Sequence, residues 1–285
     1  MSEKRIAKLI ASRGLASRRE AEVWVAEGRV TVDGKVVTEP GFKVDAEVSE
    51  VRVDNKALPA QPPLVYYLLH KPRGYITGRE DPRGRKSILE LIDHLVFRVE
   101  PVGRLDFDTE GVLILTNDGD LANALSHPSL ELPRRYRAKV YRTPDAADIK
   151  AIETGVFLDD GRTKPAKARV LEATSKENAW LEITVTEGKN RLIRRMMAQL
   201  GHPVSKLSRV SFASVALGKL ERGGCRALTP TEVRRLKDLS EGRKPGSTRK
   251  KKGKGFAKAK PKPKRIAGRK KRRAAKLRGS KSNKG

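Results

Sequence analysis

The sequence predicts an α+β protein in three parts: a small module of two helices and a hairpin over residues 1–60, a larger domain with a mixed, largely antiparallel β-sheet and flanking helices over 61–240, and a disordered Lys/Arg-rich tail over 241–285. Three observations predict it. Of the 63 Lys+Arg, 21 lie in 241–285 beside a single acid, Glu241, a segment too polar and self-repelling to bury a core. Residues 57–63, Ala-Leu-Pro-Ala-Gln-Pro-Pro, carry no apolar pattern and read as a stiff, extended linker. After the linker, strand-like and helix-like segments follow in mixed rather than strictly alternating order, which favours α+β over a parallel α/β sheet.

Each element has a local reason. Ile6, Leu9 and Ile10 share one face of a short helix that ends at Gly14. Ser17 and Glu20 form a capping box for a second helix, which turns Ala21, Trp24 and Val25 inward and stops near Gly28. Alternating β-branched residues over 29–37 flank Asp33-Gly34, a strong hairpin signal, and a short strand over 50–53 follows. In the larger domain, strands are expected at 64–70, 112–116, 136–141, 168–173 and 180–186. Helices are expected at 86–95, 119–126, 145–154, 190–200 and 231–239. The last opens on Thr229-Pro-Thr-Glu232, a capping box with proline at the first helical position.

Composition narrows the function. A formal net charge of +29 points to a polyanionic partner, most simply nucleic acid. The single cysteine, Cys225, excludes a disulfide framework and a thiolate zinc cluster. The longest clean apolar run, Leu64 to Leu69, is far short of a membrane span, and the start of the chain has no secretory pattern, so a cytoplasmic protein without membrane contact is expected. Lys4, Arg5, Lys8, Arg13, Arg18 and Arg19 stand against Glu3 alone in the first 19 residues, a candidate phosphate-contacting face on the helix pair. Common hydrolase, P-loop and metalloprotease signatures are absent, and the four histidines are scattered. Asp106 and Asp108 have no further carboxylate or histidine cluster nearby in sequence, so no metal site is expected.

The densest string is Val102-Gly-Arg-Leu-Asp-Phe-Asp-Thr-Glu-Gly111, a charged turn feeding directly into an apolar strand, which anchors a loop to the core. Over 189–200, Leu192, Ile193, Met196, Met197 and Leu200 make one helix face, while Arg191, Arg194 and Arg195 make a basic stripe, of which Arg191 and Arg195 are expected to contact phosphate.

These strings resemble known families. Ala11-Ser-Arg-Gly-Leu-Ala-Ser-Arg-Arg-Glu-Ala21 with Gly28-Arg-Val-Thr-Val-Asp-Gly34 resembles the S4 RNA-binding domain, which implies recognition of structured RNA. The string from Gly103 to Pro128, with the blocks at 71–85, 134–140 and 187–196 in the same order, resembles the pseudouridine synthases of the RsuA family; with the S4 module the likeness covers about residues 1–239. The resemblance implies that Asp106 is the catalytic aspartate and that Arg104 enters the RNA stack when the target uridine leaves it. It also implies that Tyr136 lies against the base and that Arg194 is paired with the aspartate. The implied reaction isomerises uridine to pseudouridine in ribosomal RNA, breaking C1′–N1 and making C1′–C5. It has no net redox change, so no cofactor is expected. The basic tail suggests the large-subunit branch of the family and 23S rRNA, free or in an assembly intermediate, acted on by a monomer. A non-catalytic rRNA-binding or ribosome-assembly protein on the same fold is the alternative, but binding alone does not require Asp106, Tyr136 and Arg194 together.

Either chemical role for a carboxylate, nucleophile at sugar or base or acceptor of a sugar proton, needs it ionised in a dry pocket. Desolvation opposes that charge and a neighbouring guanidinium restores it. Extruding a stacked uridine costs a few kcal/mol, which a planar cation filling the gap partly offsets.

Overall fold

The computed structural model describes residues 3–243 apart from Glu80 and Lys176; the tail expected over 241–285 lies outside them from residue 244 on. The first helices are α1 (Ile6–Ser12) and α2 (Arg18–Ala26), the latter opened by the Ser17–Glu20 capping box; a two-residue strand, Lys4–Arg5, precedes α1 and pairs with Lys43–Val44. A small sheet follows, made of β1 (Val30–Val32), β2 (Lys35–Val37), β3 (Val51–Val53) and β4 (Lys56–Ala57), in the order β2-β1-β3-β4. The β1–β2 turn has positive φ at both Asp33 (49°) and Gly34 (78°), the backbone that Asp-Gly hairpins supply. Ile6, Leu9, Ile10, Ala21, Val25, Val30 and Val53 close one core between helices and sheet.

The larger domain carries β5 (Tyr66–Lys71), β6 (Thr109–Thr116), α3 (Gly119–Ser126), β7 (Arg134–Tyr141), α4 (Ala146–Thr154), β8 (Lys167–Ser175), β9 (Asn178–Val185), α5 (Leu192–Gln199), β10 (Val204–Phe212), β11 (Cys225–Ala227) and α6 (Pro230–Ser240). Its main sheet runs β8-β9-β7-β10-β6-β5-β11. Every neighbouring pair on this path is antiparallel except β10 with β6, which is parallel and joins the two halves of the sheet. One side of the β7-β9-β10 half is covered by α5, through Leu192, Ile193, Met196 and Met197. In the other half, α3 and α6 cover Leu68, Val112 and Ile114 on one side. Ile88, Ile92 and Leu105 pack on Leu69, Leu113 and Leu115 on the other.

Three features differ from the sequence expectation. The helix expected at 86–95 is one 3₁₀ turn, Ile88–Leu91. Its Ser87–Glu90 capping box forms, yet the Ile88 amide is taken by Ile76 O at 3.0 Å and Ser87 Oγ by Gly78 O at 2.6 Å, so the segment is tied to a neighbouring strand-like stretch instead of winding on. Strands β10 and β11 were not expected. In β10 a buried arginine, Arg209, occupies an inward position and a register shift breaks the alternation, so no period of two is visible.

At the parallel joint, Gly111 has φ 120° and pairs with Arg209; a Cβ there would lie 2.2 Å from Arg209 O. Gly111→Ala should therefore destabilise the protein by about 3 kcal/mol or more, read from denaturant unfolding, because both backbone strain and a clash with main chain must be relieved.

Candidate active site

The Gly103–Asp108 loop is pinned at its backbone from several sides. Thr77 Oγ1 donates to Leu105 O (2.7 Å) and accepts from Leu105 N (3.2 Å). Gly74 N donates to Phe107 O at 2.8 Å, and Thr109 N closes the turn onto Asp106 O at 3.1 Å. Beneath these, Lys71 is wholly buried at the end of β5, and its Nζ donates to Pro72 O (3.1 Å), Asp106 O (3.0 Å) and Thr109 O (2.9 Å). Burial pulls the Lys71 ammonium down to about 8, opposed by the charges of Asp106 and Asp108. At pH 7 it therefore keeps its charge and all three donors.

The loop presents its carboxylates unequally. Asp108 is held by Arg194 Nη2 at 3.1 Å and by Arg191 Nη2 at 3.3 Å. Arg194 also donates to Asp108 O (3.0 Å) and, from Nη1, to Val204 O (3.1 Å), bridging the starts of β6 and β10. Burial pushes the Arg194 guanidinium down, and the Asp108 charge works against that. The expected Arg194–Asp106 pair is thus corrected. The arginine grips both main chain and side chain of Asp108, and Asp106 acts on it only as a nearby charge. Among the described residues, the half-buried Asp106 carboxylate has no hydrogen bond or ion pair, so its oxygens are available to a ligand.

Tyr136 stands on β7 beside this loop, half-buried and packed against the cores of both sheet halves. Its register partners are Ile183 and Arg209; Arg209 in turn pairs with Gly111, and Gly111 with Lys71. Lys71, Gly111, Arg209 and Tyr136 therefore form one row across four strands. Arg209, only 3% exposed, donates from Nε to Val112 O at 2.8 Å. Arg104 is exposed, and with Gly103, Thr77, Arg79 and Ile88 it lines a cavity of about 390 Å³ beside the loop. Asp106 does not line that cavity.

The remaining basic positions divide. Arg195 is paired with Asp160 at 2.7 Å and Arg191 with Asp108 at 3.3 Å, so a phosphate at either arginine would compete with a carboxylate. Lys8 is likewise paired, with Asp120 at the start of α3. Lys4, Arg5, Arg13, Arg18 and Arg19 have no acidic partner among the described residues. They remain the uncommitted charge of the helix-pair module.

Sequence reasoning missed Lys71, Thr77, Asp108 and Arg209. A lysine closing an apolar strand run was a usable signal, because lysine is almost never fully buried without partners. Thr77 carried none, since its role depends on a loop 28 residues away in sequence.

Comparison with known proteins gives the family of the chain. Residues 4–48 match the S4 domain family, and residues 65–199 match the family described as RNA pseudouridylate synthase. The chain is 43% identical over 238 residues to ribosomal large subunit pseudouridine synthase B of Bacillus subtilis strain 168, covering 83% of this chain and 97% of that protein. It is 38% identical over 252 residues to the protein of that name from Salmonella typhimurium, covering 85% of this chain and 84% of that one. A crystal structure of a pseudouridylate synthase superposes with a TM-score of 0.58 at 27% identity, covering 81% of this chain and 99% of that one.

Proposed function

Because this chain belongs to the family of S4-containing RNA pseudouridylate synthases, we propose that it isomerises a specific uridine of 23S ribosomal RNA, as a cytoplasmic monomer acting on free RNA or an assembly intermediate. The observation that carries the reading is the free Asp106 carboxylate on a loop whose backbone is fixed at Leu105, Asp106, Phe107 and Thr109. A fixed frame with a free reactive oxygen is what covalent or proton-transfer catalysis needs.

In this account the target uridine leaves its stack and enters between Asp106 and Tyr136. Tyr136 gives a π-face, worth roughly 1–3 kcal/mol as a base–aromatic stack. The exposed Arg104 fills the vacated stack, where a planar cation suits the gap. Arg194 and Arg191 neutralise Asp108, so that Asp106 is not left beside a bare second carboxylate. The Asp106 oxygen attacks sugar or base, or takes a sugar proton. In each case the C1′–N1 bond breaks, the uracil turns, C1′–C5 forms, and the hydrogen of C5 leaves while N1 gains one. No atoms or electrons are gained overall, so activity should persist in excess EDTA and without added nucleotide.

Release of the C5 hydrogen gives the test. RNA carrying tritium at uridine C5 should lose label to water when it is 23S rRNA, and not when it is 16S rRNA of equal specific activity. No release from either would remove the reading. Arg104→Ala should slow the reaction on a paired uridine by about tenfold or more, since extrusion costs a few kcal/mol. A mismatched or already unstacked uridine should recover part of that loss; no recovery would rule out the stack-filling role.

The division of labour follows from charge. Deleting 241–285 should weaken binding to any RNA and flatten the dependence of log K on log salt, leaving the choice of uridine unchanged. Deleting 1–60 should reduce modification of the proper site more than non-specific binding.

A further inference from the structure

Residues 134–141 of β7 point alternately to the two faces of the sheet, and the register places Tyr136 on one and Lys139 on the other. On the Lys139 face, Trp180, Lys139 and Lys206 form a row across β9, β7 and β10, and Glu182, Arg137 and Ser208 form the next. Lys206 is exposed, and Trp180 and Lys139 are half-exposed. This face is therefore turned away from Tyr136 and from the α5 side. It holds a groove of about 280 Å³, lined by Trp180, Lys206, Ser208, Arg73, Glu110 and Arg222.

The charges in and around the groove are unevenly satisfied. Arg222 is paired with Glu110 at 3.1 Å, and Arg169 with Glu182 at 2.9 Å. Arg73, Arg137, Lys139 and Lys206 have no acidic partner among the described residues. Arg73 lies at the end of the sheet. It lines the groove and also stands close enough to Arg194 for its charge to act there, so it links this face to the Asp108–Arg194 cluster.

An indole face flanked by unpaired cations, in a hollow open to solvent, matches a ligand that carries both a flat π-system and negative charge. We propose that the groove binds one unpaired nucleotide of the RNA substrate, outside the stem that holds the target uridine. The base stacks on Trp180, and the adjoining phosphates are met by Lys139, Lys206 and Arg73. The inference rests on the RNA-modifying reading for the identity of the polyanion, and on separate residues for the site. Stacking is tolerant of base identity, so the groove adds affinity and orientation without selecting the uridine. RNA held on both faces would pass around the end of the sheet at Arg73.

The test uses the full chain and two ten-residue probes: unpaired, single-stranded oligoadenylate and an abasic sugar-phosphate chain of the same length. Oligoadenylate should quench tryptophan fluorescence in the wild type, and Trp180→Phe should remove most of that change, since Trp24 lies in the helical module. Trp180→Leu, which keeps an apolar side chain but not the π-face, should weaken oligoadenylate binding about tenfold and leave the abasic chain unaffected. Lys139→Glu with Lys206→Glu should weaken both probes and lower the salt slope by roughly one to two. Equal quenching by both probes, or unchanged oligoadenylate affinity in Trp180→Leu, would overturn stacking and leave only a backbone-contacting face. Binding through Trp180 in a chain that forms no pseudouridine would instead count against the enzymatic reading and spare the groove.

Discussion

Asp106→Asn should abolish pseudouridine formation while leaving RNA binding within a few-fold of the wild type. The substitution is nearly isosteric and removes only the anionic oxygen. Its backbone tethers, from Lys71 and from Thr109 N to Asp106 O, do not involve the side chain and should survive. The side chain itself has no intramolecular partner to lose among the described residues, so stability should change little. A loss of nucleophile or essential base is felt on the order of 10⁴-fold or more in turnover. Single-turnover rates with saturating RNA, alongside a binding isotherm for the same RNA, separate chemistry from affinity. Turnover within tenfold of the wild type would remove Asp106 from the catalytic role. Asp108→Asn should behave differently. It breaks the ion pairs with Arg194 and Arg191, so its loss should appear in loop order and stability as well as in rate.

Lys71→Met should be the most damaging change outside the reacting groups. The lysine stem lies wholly buried and methionine can fill that volume, but the carbonyls of Pro72, Asp106 and Thr109 then lose their shared donor. An unsatisfied buried acceptor costs about 1–3 kcal/mol. Removing the cation also relieves its own desolvation, which offsets part of the loss. A net destabilisation of about 2–4 kcal/mol is expected, with an activity loss on the order of a hundredfold because the Asp106 loop is no longer fixed. Lys71→Arg should not restore activity, since a planar fork cannot point three donors down the paths an ammonium uses. Loss of stability with activity intact would show that the loop holds its shape without this anchor. The pH dependence has a defined sign. The folded-state ammonium titrates at about 8, below its ordinary value of 10.5, so from about pH 8 upward the unfolded chain binds more protons than the folded one. This group's contribution to stability then rises with pH, while its deprotonation removes a donor from the loop. Unfolding midpoints and single-turnover rates measured from pH 7 to 10 should therefore diverge.

The fold class and most elements were legible because their causes are local. The Ser17–Glu20 and Thr229–Glu232 capping boxes both form, and Asp33-Gly34 makes the turn that its residues favour. The strand carrying Tyr136 and the helix carrying Arg194 lie where the apolar pattern put them. What was not legible depends on contacts distant in sequence. β10 hides its period because Arg209 fills an inward slot, and the turn at Ile88 stays short because Ile76 captures its first amide. The choice of Asp108 over Asp106 as partner of Arg194 is set by a turn geometry that spacing alone does not reveal. Likewise, Arg195 and Lys8 read as free cations until the fold brings Asp160 and Asp120 beside them.

The proposed reaction converts one uridine of 23S rRNA to pseudouridine through Asp106. The most direct measurement is nucleotide-resolution mapping of pseudouridine in 23S and 16S rRNA after incubation with the full chain or with its Asp106→Asn variant. A single new pseudouridine in 23S rRNA, present with the wild-type chain and absent with the variant, is the predicted result. No new pseudouridine in either RNA, or an unchanged product with Asp106→Asn, would contradict it.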